Sequence, residues 1–401
     1  MIFSTHIGSW TVCATDLARS GEHRRESGVE PTVLRRKIQA MKNLSLALLL
    51  MLASLSPSVA QDRPAAPALK VEPAWPSIPE TFFLGPVRGL SVDRQDHVWI
   101  VHDPSGISAD IRGAAATPPQ AECCVPAPQV LEFDAAGKYI QGWNLTGEGY
   151  EPLQQVHGIF VDQKDAVWIS SERQGDNHIL KFDRRGKFLL QIGRKGQSQG
   201  SNDTANVNRA ADMFMWPKTN ELFVADGYGN RRVVVFDADT GAYKRHWGAF
   251  GSAPDDTAKP ARTTAGPSPT QFNLVHDVVV SNDGIVYVAD RNNNRIQVFT
   301  PEGKFVKEAF VARETATTNG TVYSFAFSAD PQQQFLYVAD AGNGRIRVLN
   351  RQTLQVVESI GRWGRQAGQF MVPHSIGTDS QGSLYVAEIR EGRVQKFVRT
   401  R

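Results

Sequence analysis

Residues 272–299 read FNLVHDVVVSNDGIVYVADRNNNRIQVF. VHDVVV and IVYVAD are short, rich in β-branched residues and separated by the turn residues SNDG, so they predict two antiparallel strands joined by a tight reversal. RIQVF follows an Asn-rich turn as a third strand, and the PEGK at 301–304 reverses the chain into a fourth. One residue departs from the pattern: His276 heads the first and most apolar strand.

The same unit recurs along the chain. Its six copies begin at RGLSVDRQDHVWIVHD (from Arg88), HGIFVDQKDAVWISSE (from His157), ADMFMWPKTNELFVADGYGNRRVVVF (from Ala211), HDVVVSNDGIVYVAD (from His276), SFAFSADPQQQFLYVAD (from Ser324) and HSIGTDSQGSLYVAE (from His374). Small sheets with two apolar faces must stack, and stacking in a closed ring hides their edges. The expected fold is therefore all-β, a six-bladed β-propeller over residues 85–401 with four antiparallel strands per blade. Length alone would suggest two domains, but no linker interrupts the repeats. The last copy reaches Arg401 with three strands, so the segment around Val71 to Phe83, within 61–84, is expected to supply the fourth and close the ring.

The beginning of the chain reads differently. Residues 1–40 are polar and Arg-rich without periodicity, which suggests an upstream extension to a true start at Met41. From there MKNLSLALLLMLASLSPSVA (41–60) has a lysine, a short apolar run and small residues around Val59, the pattern of a signal peptide cut after Ala60. The apolar run is too short to anchor the chain in a membrane, so a periplasmic or secreted protein is expected. The 401 residues carry a formal charge of +3, with Lys and Arg interspersed among Asp and Glu, which gives no nucleic-acid signal. Cys123 and Cys124 are adjacent in a Pro/Ala-rich loop, and a vicinal disulfide and a free pair both stay open.

In a propeller the first strand of each blade lines the central channel, and its leading residue points to the axis. Those six slots hold Arg88, His157, Ala211, His276, Tyr323 and His374. Histidines in blades two, four and six lie about 120° apart and converge on one point. Only seven histidines follow residue 60, so three in these slots is not chance. Three neutral imidazoles and an open position describe a catalytic Zn²⁺ site; the plain alternative is three channel histidines bonded to water. Tyr228 and Arg291 follow the second strands of blades three and four, where their loops rise beside the channel mouth. The phenol would transfer protons if a cation lowered its pKa, and the guanidinium would hold a carboxylate bidentately.

The turns Asn230-Arg231-Arg232, Asn294-Arg295-Ile296 and Asn177-His178-Ile179 resemble the signature of NHL repeats, with His178 structural. The motifs LQQVHGIFVD, FNLVHDVVV, FMVPHSIGTD and the DGY ending at Tyr228 resemble peptidyl-α-hydroxyglycine α-amidating lyase, a six-bladed NHL propeller. That resemblance implies zinc on His157, His276 and His374, Tyr228 as base, and cleavage of a carbinolamide C–N bond to a peptide amide and glyoxylate. It also implies Ca²⁺ near the axis, held partly by the carbonyls of Leu90 and Ile159.

Four positions depart from the family. Asp103 stands where it has an arginine, Ser375 where it has a calcium-binding aspartate, Val372 (beside Met371) where it has a methionine, and Gly229 where it has a disulfide cysteine. Asp103 inverts a charge, so Arg88, Arg112 or Arg291 must compensate if the substrate is anionic. The competing reading is a non-catalytic NHL propeller that binds a peptide or protein on its top face. A calcium-dependent hydrolase or lactonase would want Asp, Asn and Glu in slots that hold His. Segments 103–128, 194–209 and 249–271 interrupt the repeat as lids or insertions, the first and third expected near the mouth.

Overall fold

The computed structural model describes residues 65–258 and 264–400. The expected upstream extension and signal peptide lie outside the described residues. Blade one is built from Val87–Val92, Val98–His102, Val130–Phe133 and Tyr139–Trp143, and blade two from Ile159–Val161, Val167–Ile169, His178–Phe182 and Phe188–Gly193. Blade three comprises Asp212–Trp216, Glu221–Asp226, Arg232–Asp237 and Tyr243–Trp247; blade four, Val275–Val280, Val286–Asp290, Arg295–Phe299 and Phe305–Phe310. Blade five follows with Phe325–Phe327, Phe335–Asp340, Arg345–Asn350 and Val356–Ile360. Blade six has Pro373–Thr378, Leu384–Glu388 and Arg393–Arg399, and Leu69–Glu72 pairs antiparallel with the last of these. First strands of successive blades touch all round, including the sixth against the first, so the ring is closed.

The closing strand is thus found at the leading edge of the expected segment. Phe82–Phe83, at its far end, pairs instead in parallel with Val125–Pro126 from the 103–128 loop. Among the described residues the helical segments are short 3-10 turns.

Two local devices explain why the repeat folds as it does. In the SNDG turn Gly284 takes φ +87°, a conformation cheap only for glycine, and its N–H donates to Ser281 O at 2.8 Å. At the end of the second strand a buried acid ties down the next turn and strand. Asp290 accepts from Asn273 N (2.7 Å), Asn293 Nδ2 (2.8 Å) and Arg295 Nε (2.7 Å), with both ion-pair side chains fully buried. Asp226–Arg232, Asp340–Arg347 and Glu388–Arg393 repeat the pair in blades three, five and six. Each acid would be strongly destabilising if left alone in the core, so acid and arginine come as a unit.

Candidate metal centre

All three channel histidines sit at one end of the ring, almost wholly buried. Their ring centroids are 4.7, 4.8 and 5.2 Å apart, and their ligand atoms lie within 4.8 Å of one another. The chain reaches these slots through strained backbone: Leu274 and Val372, each two residues before a histidine, take φ +71° and +66°. For a non-glycine residue that costs on the order of 1–3 kcal/mol, most of all for β-branched Val372.

Each imidazole is oriented by the neighbouring blade. His157 Nδ1–H donates to Ala211 O (2.8 Å), His276 Nδ1–H to Tyr323 O (2.7 Å) and His374 Nδ1–H to Arg88 O (2.5 Å). The acceptors are the three slot residues of the odd blades. Since a carbonyl only accepts, the proton is fixed on Nδ1 and every Nε2 keeps its lone pair for the axis. Gly158 makes room for this: a Cβ there would stand 2.5 Å from Ala211 O, the oxygen that holds His157.

Burial disfavours protonation of all three rings. It holds His157 down to about 4 and His276 and His374 well below the ordinary imidazole value. Three neutral imidazoles with their Nε2 lone pairs unprotonated, and no thiolate among them, fit a zinc ion that keeps an open position.

Tyr228 lies directly on this cluster. Its hydroxyl is 3.0 Å from His157 Nε2 and 3.2 Å from His276 Nε2, and it accepts from Arg291 Nη1 at 3.0 Å. Arg291 also donates to Asn319 O (2.8 Å) and stacks 4.1 Å over the Tyr323 ring. The cation expected beside the phenol is therefore present. Burial is nevertheless the larger influence, and it pushes the phenol above its ordinary value despite Arg291.

Two residues that sequence reasoning missed complete the pocket. Glu172 ends the blade-two motif, in the loop after the second strand; its carboxylate is 3.8 Å from His157 Nε2 and hydrogen-bonds Tyr228. Burial alone would raise this carboxyl, but the cations Arg88 and Arg291 and the Tyr228 hydrogen bond oppose it, and the carboxyl lies below its ordinary value. Arg209, from the 194–209 segment, lies 5.6 Å from the Tyr228 ring centroid and donates through Nε to Glu172 O at 2.6 Å. The second interrupting segment thus reaches the site.

The charge inversion at residue 103 has a local answer. Arg88 pairs with Asp103 (3.3 Å) and with Glu172, while Gln155 donates to Asp103 at 2.6 Å. Arg112 lies on an exposed 3-10 turn, Ile111–Ala115, in the 103–128 loop. Gly229, in place of the family cysteine, donates its N–H to Asn208 O at 2.9 Å. Cys123 and Cys124 are bonded to each other in that same first loop, and His178 heads the third strand of blade two with Nε2–H on Glu151 O (2.8 Å).

Residues 272–299 are an NHL repeat. The propeller is similar to NHL repeat-containing protein 3 of Homo sapiens, 27% identical over 283 residues that cover 68% of this chain and 73% of that protein. It is also similar to peptidyl-alpha-hydroxyglycine alpha-amidating lyase 1 of Drosophila melanogaster, 24% identical over 81% of this chain and 59% of the relative. Among solved structures, one described as a streptogramin B lyase superposes with TM-score 0.50 at 13% identity, covering 83% of this chain and 98% of the other, a likeness of fold alone. The propeller therefore has lyase-like relatives alongside one whose name records only its repeats.

Further down the channel Leu90 and Ile159 line a cavity of about 550 Å³ together with Asp212, Asp277 and Ser375. The Ser375 hydroxyl accepts from Leu90 N (3.0 Å) and donates to Leu90 O (3.3 Å), so it supplies no charge where the family has an aspartate. Burial raises Asp277 to about 6 and Asp212 well above its ordinary value. A second group of metal-type donors, Asp93, His97 and Glu132, already holds the Arg184 guanidinium, which pairs with Asp93 at 2.8 Å and with Glu132. Among the described residues no helix is long and apolar enough to cross a membrane.

Proposed function

We propose that the protein is an exported zinc lyase that cleaves the C–N bond of a peptidyl α-hydroxyglycine-type carbinolamide to an amide and glyoxylate. The observation that carries this reading is the convergence of three Nε2 lone pairs on a point that Tyr228 Oη also touches. His157, His276 and His374 would hold the ion, which when bound polarises the carbinol hydroxyl or carboxylate oxygen as a Lewis acid.

The chain's own groups handle the proton. Tyr228 Oη takes the carbinol O–H proton while passing its own to the Glu172 carboxylate beside it. As the C–N bond breaks, the same hydroxyl protonates the amide nitrogen and recovers its proton from Glu172, so no proton is gained or lost. Arg291, donating to Oη, steadies the negative charge that passes through it.

A hard cation held partly by the carbonyls of Leu90 and Ile159 is the second metal proposed. Its anionic oxygens would be those of Asp212 and Asp277, which line the same cavity, rather than residue 375. The competing reading, a peptide- or protein-binding propeller without catalysis, is favoured by Asp103, which stands where the family has an arginine and which, with Glu172, neutralises Arg88.

Metal analysis of the purified exported chain, expected to start at Gln61, tests these readings together. About one zinc per chain is expected in the wild type and none in His276→Ala. An absence of zinc in the wild type sinks the metal reading, and an absence of calcium sinks the second site alone. Glyoxylate release from α-hydroxyglycyl peptides then separates lyase from binder.

A further inference from the structure

We propose that Arg209, with Arg291, is the carboxylate clamp of this pocket, filling the anion-binding role that Asp103 leaves vacant; the proposal rests on the lyase reading above. Arg209 stands two residues before the slot residue Ala211. That is the register position of Leu274 before His276 and of Val372 before His374, and all three take left-handed backbone, Arg209 with φ +62°. In blades three, four and six alike, the chain turns at the channel mouth on this residue. In blade three the residue carries a guanidinium.

Placement and pairing single it out. Its guanidinium is 5.6 Å and that of Arg291 5.9 Å from the centroid of the Tyr228 ring, so both cations lie beside the phenol that touches the histidines. Among the described residues neither meets a carboxylate at ion-pair distance, whereas Arg88 is held by both Asp103 and Glu172. Arg209 bonds the protein through Nε to a main-chain oxygen (2.6 Å), and its side chain is half-buried. Arg291 uses Nε and Nη1, on Asn319 O and Tyr228 Oη. With a divalent ion bound, the pocket carries positive charge that Asp103 and Glu172 do not balance. A planar carboxylate matches both the charge and the fork geometry, and an α-hydroxy carboxylate would reach the ion through its hydroxyl at the same time.

The test titrates glycolate and its neutral counterpart glycolamide into zinc-loaded protein by calorimetry. The wild type is expected to favour glycolate, less so as salt rises. Arg209→Gln should lose about tenfold to a hundredfold in glycolate affinity, the scale of a charge-assisted hydrogen bond, with glycolamide binding and zinc content unchanged. Arg209→Lys, which keeps the charge but not the fork, should fall between the two and guards against a misfolded glutamine variant. Glycolate affinity in Arg209→Gln within threefold of wild type, or no anion preference in the wild type, overturns the clamp and leaves the zinc site standing. A wild type that holds no zinc overturns both.

Discussion

The even and odd blades of this ring share one fold and one register, yet they enter the channel in different ways. Blades two, four and six contribute side chains, the imidazoles of His157, His276 and His374. Blades one, three and five contribute main-chain oxygens, those of Arg88, Ala211 and Tyr323, each bonded to the imidazole of the preceding blade. A six-fold scaffold thereby yields a three-fold cluster in which imidazoles alternate with the carbonyls that orient them. The lesson concerns which atoms evolution is free to change: an even slot is fixed by its side chain, an odd slot by where its backbone lies.

The largest effect should come from the residue that belongs to neither set. Tyr228 reaches the histidine cluster from a blade-three loop and touches two even-blade histidines. Tyr228→Phe is expected to lower turnover of an α-hydroxyglycyl peptide by about 10²- to 10⁴-fold, the usual worth of a positioned proton-transfer group. Zinc content should stay at the wild-type level. If the variant purifies without zinc, the phenol is part of the ion's coordination and the division between holding and chemistry fails.

The same contrast explains what could be read from the letters. The repeat was legible because strands with period two and Gly or Asn turns leave a regular trace, and the histidines because a rare residue recurred in every second slot. The oxygens of Arg88, Ala211 and Tyr323 were not, because a carbonyl is common to all residues and only its position distinguishes it. Glu172 and Arg209 sit in loops with no period, and Arg209 enters the site through a left-handed turn that its letter does not announce. An acid closing the motif ISSE, where the copies from Ala211, His276 and Ser324 carry Ala-Asp, was a usable signal for Glu172. The closing strand was anticipated, but Leu69–Glu72 and Phe82–Phe83 lie at the two ends of the expected segment, and pairing partners elsewhere in the chain decide between them.

A middle-sized effect sharpens the comparison through pH. In the unfolded chain a histidine titrates near 6.5, while in the fold burial holds His157 to about 4 and His276 and His374 well below 6.5. Below pH 6.5 the unfolded state therefore binds more protons at these sites. Their contribution to stability is complete above pH 6.5 and is lost as pH falls, for His157 through about 4, at about 1.4 kcal/mol per pH unit per histidine. Asp212 and Asp277, raised by burial, act in the opposite direction over part of the same window, because there the folded state binds the extra proton. The informative quantity is thus a difference. Metal-free His276→Gln should lose less stability than metal-free wild type between pH 6.5 and 5, by urea unfolding. Equal losses would mean that the even-blade imidazoles are not held neutral by the fold.

The smallest effect bears on the odd slots. Ala211 is fully buried, and its carbonyl receives both His157 Nδ1–H and the Ser170 hydroxyl (3.0 Å). Ala211→Ser leaves that oxygen where it is and adds one atom to a close-packed site, at a cost of about 1–3 kcal/mol in stability. Zinc affinity, read by competition with a chelator, should change by no more than about threefold, well short of the tenfold to hundredfold that loss of an orienting partner costs. The contrast with His276→Ala is then one of kind, since one slot's side chain is dispensable to the ion and the other's is its ligand. A tenfold loss of zinc in Ala211→Ser would show that the odd slots act through their side chains or by transmitting strain to His157, and the alternation of roles around the ring would have to be abandoned.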